Sequence, residues 1–292
     1  MTNEESKHFR GSTIFETLSG CILACVLFGG YFLALLVAIY ISFEKGVSGR
    51  PQKILWKLMV LLLICNIWNL GQKITYVILD VWMLSDAAVL YSGEKVLARQ
   101  ASIPFAINVL VGDGIVVWRA WGIWTESRMA KLILVILMIG NIGTNIADVI
   151  IDITHDAFNR AIVMDYVWST FSLAVNFFAT LLIALKAWYY RRTLRSCETK
   201  HNHLRKILIL LVESGLVYCI IQITFVLIQI FTVRSELRTL RILTIGISQI
   251  INGTAVLYPL AIFLVVNLDQ SLADIIHGKS SASATLTTLA PD

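Results

Sequence analysis

Charged side chains are scarce in this chain. Its 292 residues include 24 Lys or Arg and 19 Asp or Glu, 15% in all, where a typical soluble domain has about 25%. With 57% hydrophobic residues, a soluble globular domain is excluded and an integral membrane protein is indicated. All five histidines, His8, His155, His201, His203 and His277, fall outside the apolar runs. A membrane histidine-box oxidase or a His-based hydrolase therefore has nothing to work with inside the bilayer. No lysine occurs between Ile242 and Asn267, so a retinal-type Schiff base in the last span is excluded as well. A paired-acid diphosphate motif is lacking. Cys21, Cys25, Cys65 and Cys219 sit within apolar runs and Cys197 in a basic connection, leaving no outer pair for a disulfide. The polar start, with Glu4, Glu5, Lys7 and Arg10, has neither the cationic opening nor the cleavage pattern of a signal peptide. No metal or cofactor is expected.

What the chain does have is long apolar runs. Only helices and closed barrels hide backbone polar groups from lipid, and these runs are continuous rather than alternating, which selects helices. The expected fold is all-α, a polytopic bundle of seven transmembrane helices over residues 1–267. The spans run approximately over 17–43, 54–79, 101–124, 131–151, 164–190, 207–233 and 242–267, each long enough to cross a bilayer. Leu268, Leu272, Ile275 and Ile276 then give a short amphipathic juxtamembrane helix at 268–278, followed by a disordered Ser/Thr-rich tail at 279–292.

The cations set an expected orientation. Assigned to the nearest connection, 15 of the 24 Lys and Arg fall on the side holding the first, third and fifth connections and the tail. By the positive-inside rule that side is cytoplasmic, with the N-terminus outside and the C-terminus inside. Trp56, Trp124 and Trp188 fall at inner ends, Trp82 and Trp168 at outer ones. The net charge of +5 is thus an orientation signal, not a nucleic-acid surface. The basic connection at 190–206 is the expected contact for anionic lipid or a cytosolic partner.

Polar residues inside the spans point to function. An acid at the centre of a span costs roughly 2.5–3.5 kcal/mol on insertion scales, so Asp113 must face protein or water. Asn141, Thr144, Asn145, Asp148 and Asp152 form one stripe of the fourth span, and Asn66, Asn69 and Lys73 one of the second. Asn108 lies in the third span, Gln222 and Gln229 in the sixth, and Ser248, Gln249 and Asn252 in the seventh. Together they suggest an outward-opening polar vestibule with its floor near Asp113, lined by Lys73, Asn69, Asn108, Asp148, Asn145, Gln222 and Asn252. The competing account is that the amides are interhelical glue worth about 0.6 kcal/mol each, with Lys73 and Asp148 paired to each other. On the inner side Arg119, among Trp118, Trp121 and Trp124, either snorkels to the interface or forms a switch with Glu213, near Tyr258 and the helix-loosening Pro259.

The stretch GDGIVVWRAWGIW, with Asp113, Trp118, Arg119, Trp121 and Trp124, resembles the hallmark of a large group of seven-helix integral membrane proteins of mushroom-forming fungi. The resemblance implies architecture and not chemistry. The outline is receptor-like, but the chain lacks an Asp-Arg-Tyr triplet, an outer cysteine bridge and an Asn-Pro-x-x-Tyr motif, so G-protein coupling does not follow. Three functions remain open: a receptor for a small ligand, a small-solute transporter using Asp113 for protons, and a membrane cyclase using Asp113, Asp148 or Glu213 as acid.

Overall fold

The computed structural model describes residues 3–45, 50–82, 102–154, 158–193, 201–234, 239–240, 242–261 and 263–264. All regular structure among them is helical. The helices are α1 (Asn3–Lys45), α2 (Arg50–Trp82), α3 (Ser102–Ile123), α4 (Arg128–Thr154), α5 (Phe158–Thr193), α6 (His201–Arg234) and α7 (Ile242–Ala261). Seven helices are long and apolar enough to cross a membrane, at Ile14–Glu44, Gln52–Leu79, Ser102–Ile123, Arg128–Thr154, Met164–Tyr189, Leu211–Thr232 and Ile242–Ala261. The protein is therefore a multi-pass helical membrane protein. The expected amphipathic helix at 268–278, the tail at 279–292, and positions 194–200 in the middle of the basic connection lie outside the described residues.

Large apolar side chains such as Leu33, Phe43, Ile136 and Ile220 project outward, as lipid requires. Hydroxyls that face outward are satisfied within their own helix: Thr75, Thr224 and Thr254 donate to the carbonyls of Gly71, Ile220 and Ile250. Lipid supplies no hydrophobic drive for helix association, so contacts form where small residues allow close approach and where polar groups meet. Gly112 of α3 lies against Ala255 of α7, Gly140 of α4 against Phe171 of α5, Gly215 of α6 against Thr180 of α5, and Gly253 of α7 against Leu27 of α1. A Cβ at Gly112 would come to 3.2 Å from the Ala255 Cβ. That spacing brings the axes of α3 and α7 together.

The interior is layered, with α3 at its centre. Towards the Asn108 end, Val109, Trp168, Phe225 and Ile251 form an apolar cluster. Towards the Trp124 end, Val116, Ala120, Leu134, Ala179, Ile183, Leu211 and Tyr258 form a second. Between the two, at the level of Asp113, the packing is polar. A third apolar cluster, including Tyr31, Met59, Leu62, Val256 and Phe263, ties α1 and α2 to α7, and the Tyr31 hydroxyl donates to the Met59 carbonyl at 3.0 Å.

Candidate functional site

Asp113 is fully buried, and its carboxylate gathers three helices. Asn141 Nδ2 of α4 donates to Oδ2 at 2.8 Å, Ser172 Oγ of α5 to the same oxygen at 2.6 Å, and Asn176 Nδ2 of α5 to Oδ1 at 2.5 Å. Gln222 of α6 joins one step removed, its Nε2 donating to Ser172 Oγ at 2.8 Å. Each of the three groups reaching Asp113 is able to donate to it. Around it Asn141 Oδ1, Asn176 Oδ1, Gln222 Oε1 and the Tyr218 hydroxyl are buried without partners. The centre is thus rich in acceptors and held between two apolar layers.

About one and a half turns along α3, or about 7.5 Å, Asn108 Nδ2 donates to Asn252 Oδ1 of α7 at 2.9 Å, and Asn252 Nδ2 donates to Asn66 Oδ1 of α2 at 3.3 Å. Beside this triad a gap of about 10 Å³ is lined by Asn66, Asn69, Gln249 and Asn252, room for about one water. Asn69 also lines a much larger cavity, about 340 Å³, between α1, α2 and α7. Lys73 lies in that cavity. A polar track therefore runs from the cavity through Asn69 and the asparagine triad to α3.

On the other side of Asp113, Arg119 Nη1 donates to the Tyr258 hydroxyl at 3.0 Å, and the guanidinium carbon sits 4.2 Å from the centre of the Tyr258 ring. Tyr258 stacks in turn on Tyr218 of α6, ring centres 6.4 Å apart. Near the end of α3, Trp124 Nε1 donates to the Leu182 carbonyl at 2.8 Å, with the Lys186 ammonium 5.2 Å from its ring.

These positions revise the expected site in three ways. The lining residues are not gathered around one hollow: Asp113 and Gln222 share the central network, Asn108 and Asn252 the triad, and Lys73 and Asn69 the cavity. Asp148, one stripe position beyond the buried Asn145, is itself buried and lies within electrostatic reach of Asp152 and Asp165. The Lys73–Asp148 pair is not formed: Lys73 lines the cavity between α1, α2 and α7, and Asp148 lies near Asp152 and Asp165. Arg119 is engaged by Tyr258 and not by Glu213, whose side chain is exposed on the outer surface of α6. The expected pairing fails because Tyr258 offers Arg119 both a hydroxyl and a ring face from a helix already in contact with α3.

Residues outside the expectation also matter. Ser169, Ser172, Asn176 and Thr180 are all buried on α5, at helical offsets of 0, 3, 7 and 11. That stripe was visible in the sequence, but three of its members are small hydroxyls that an apolar helix hides easily. Gln72, buried beside Lys73, and Tyr218 carried no periodic signal. Among the described residues there is no group of three or more His, Cys, Asp or Glu able to hold a metal ion. No protein-family model, curated protein or solved structure matches this chain.

Proposed function

We propose that this protein is a receptor-like seven-helix membrane protein that binds a small ligand towards the Asn108 end and relays a shift through α3, α6 and α7 to the Trp124 end. The carrying observation is the seam between α3 and α7. It is clamped by Asn108–Asn252 on one side, by Arg119–Tyr258 on the other, and by the Gly112–Ala255 contact between them. The two clamps lie on the same pair of rods, so a ligand that moves α7 at Asn252 acts also at Tyr258, and through the Tyr218 stack on α6. Such a ligand shifts the equilibrium only by binding one arrangement more tightly than the other. Pro259, directly after Tyr258, lacks the amide hydrogen that would tie this turn of α7 to the preceding one.

In this proposal the N-terminus is outside and the C-terminus cytoplasmic, which opens the ligand side outward and presents the 190–206 connection to a cytosolic partner. Kinship with the seven-helix fungal group belongs to the same proposal. A cyclase acid at Asp113 is the weaker choice, since both of its oxygens are already engaged by protein donors. Transport gains no specific support from the geometry.

The test is a distance measurement by pulsed electron paramagnetic resonance between nitroxides at Thr125→Cys and Glu213→Cys, both exposed positions near the Trp124 end. With the native cysteines replaced by serine, the doubly labelled protein should give one narrow distribution. Arg119→Ala, and Tyr258→Phe, which keeps the ring and removes the hydroxyl, should each add a second population. An unchanged distribution in both variants would refute the two-state seam.

A further inference from the structure

We infer that the cavity between α1, α2 and α7 is a binding site for the carboxylate head of a small amphiphile, with Lys73 as counter-charge and Gln72 as second hydrogen-bonding partner. This names a ligand class for the receptor proposed above, and the binding itself does not depend on signalling. The cavity measures about 340 Å³, within the roughly 300–1,000 Å³ of small-molecule sites. Its wall combines Lys73, Gln72, Asn69 and Thr17 with the apolar Ile245 and the Cys21 thiol.

One feature points to an anion and a second to a hydrogen-bonding head group. No carboxylate pairs with Lys73 among the described residues, although an ammonium within a span requires a counter-charge or water. Gln72 is only 6% exposed, and neither its Nε2 nor its Oε1 has a hydrogen-bond partner. A buried amide with both ends unsatisfied is costly unless something completes it. A carboxylate serves the donor end: one oxygen accepts from the Lys73 ammonium and the other from Gln72 Nε2, while Gln72 Oε1, itself an acceptor, takes a hydrogen from water or from the ammonium. A single lysine is a point charge matched to a monoanion, whereas planar bidentate recognition or a dianionic phosphate calls for arginine or several cations. The apolar part of the wall suits a hydrocarbon tail. Asn69, shared with the gap at the asparagine triad, connects an occupied cavity to the α3–α7 seam.

The test uses the full chain in nanodiscs and radiolabelled decanoate, with decanol and methyl decanoate as uncharged competitors. Decanoate should bind saturably and resist both competitors. Lys73→Met should weaken binding about tenfold or more, as expected for loss of one charge-assisted hydrogen bond, while Lys73→Arg should bind within a few-fold of wild type. Protection of Cys21 supplies a second measurement without any substitution in the cavity. Decanoate, and not decanol, should slow alkylation of Cys21 by a small maleimide several-fold, with an introduced Thr154→Cys thiol, exposed at the end of α4, as internal control. Absence of saturable binding, equal binding by Lys73→Met, or equal protection by decanol would each overturn the inference. The nitroxide distances across the seam are read independently, so failure of the ligand class and failure of the relay are distinguishable.

Discussion

At the scale of single residues, the physics of Asp113 is an imbalance between donors and acceptors. Replacing it with Ala leaves the donors of Asn141, Ser172 and Asn176 without their acceptor, each orphan costing about 1–3 kcal/mol in a buried setting. Membrane proteins recover part of such losses, since interhelical hydrogen bonds there average about 0.6 kcal/mol. Asp113→Ala is therefore expected to lower stability by about 2–4 kcal/mol, read as a reduced melting temperature in detergent. Asp113→Asn should behave differently. Its carbonyl still accepts, and its new amide hydrogens can serve the unpartnered oxygens of Asn141 and Asn176. We expect Asp113→Asn to be at least as stable as wild type; a loss matching that of Asp113→Ala would show that the charge itself holds the network. Asp113, Asn141 and Gln222 were legible in the sequence because a polar side chain in an apolar run is conspicuous. Ser172 was not, because a serine can satisfy its hydroxyl on its own helix, and only three-dimensional contact shows that this one reaches across to α3.

At the scale of helices, the decisive element is α3, which touches both polar clusters and three apolar ones. Its spacing against α7 depends on Gly112, where an added methyl meets Ala255 Cβ at 3.2 Å and its carbonyl oxygen at 3.4 Å. Gly112→Ala gains about 1 kcal/mol of helix propensity, which offsets the few tenths of an ångström that α7 must yield. Near-neutral stability is expected. Gly112→Val adds two further carbons with no space to enter, and overpacking of that kind costs about 1–3 kcal/mol. It should also lengthen Asn108–Asn252 and Arg119–Tyr258 together, since both clamps lie on the separated pair. The check is thermal unfolding combined with the nitroxide distances: a Val variant as stable as wild type with an unchanged distribution would mean that the seam is soft. That the chain carries seven membrane-spanning helices was readable, because hydropathy depends only on composition along one helix. Partner choice was not. Whether Arg119 meets Glu213 or Tyr258 depends on the rotation of α6 and α7 about their axes, and the apolar surroundings of both residues leave that rotation unmarked in sequence.

At the scale of the whole molecule, described cations near one end engage aromatic rings. Near the Trp124 end, cations lie over rings: Lys131 over Trp121 at 5.3 Å, Lys186 over Trp124 at 5.2 Å and Arg192 over Trp188 at 5.1 Å, and Lys131 Nζ also donates to the Thr125 carbonyl at 2.7 Å. Near the other end Asp148 lies within electrostatic reach of Asp152 and Asp165. Positive residues flanking spans are retained on the cytoplasmic side, whereas acids have little say in topology, and the orientation proposed above places the Trp124 end in the cytosol. The 340 Å³ cavity lies nearer the opposite end, because Thr17 and Cys21 are early in α1, Lys73 is late in α2 and Ile245 is early in α7. Orientation therefore decides from which compartment a ligand arrives. In a background whose native cysteines are replaced by serine, Glu126→Cys and Thr154→Cys, exposed at opposite ends, should separate under a membrane-impermeant maleimide. With only the plasma membrane permeabilised, Glu126→Cys should react. Thr154→Cys should react either on intact cells or only after all membranes are dissolved, according to which membrane holds the protein. The reverse pattern would place the N-terminus in the cytosol and make the cavity a sensor of cytosolic amphiphiles, with the same Lys73 chemistry and the opposite direction of relay.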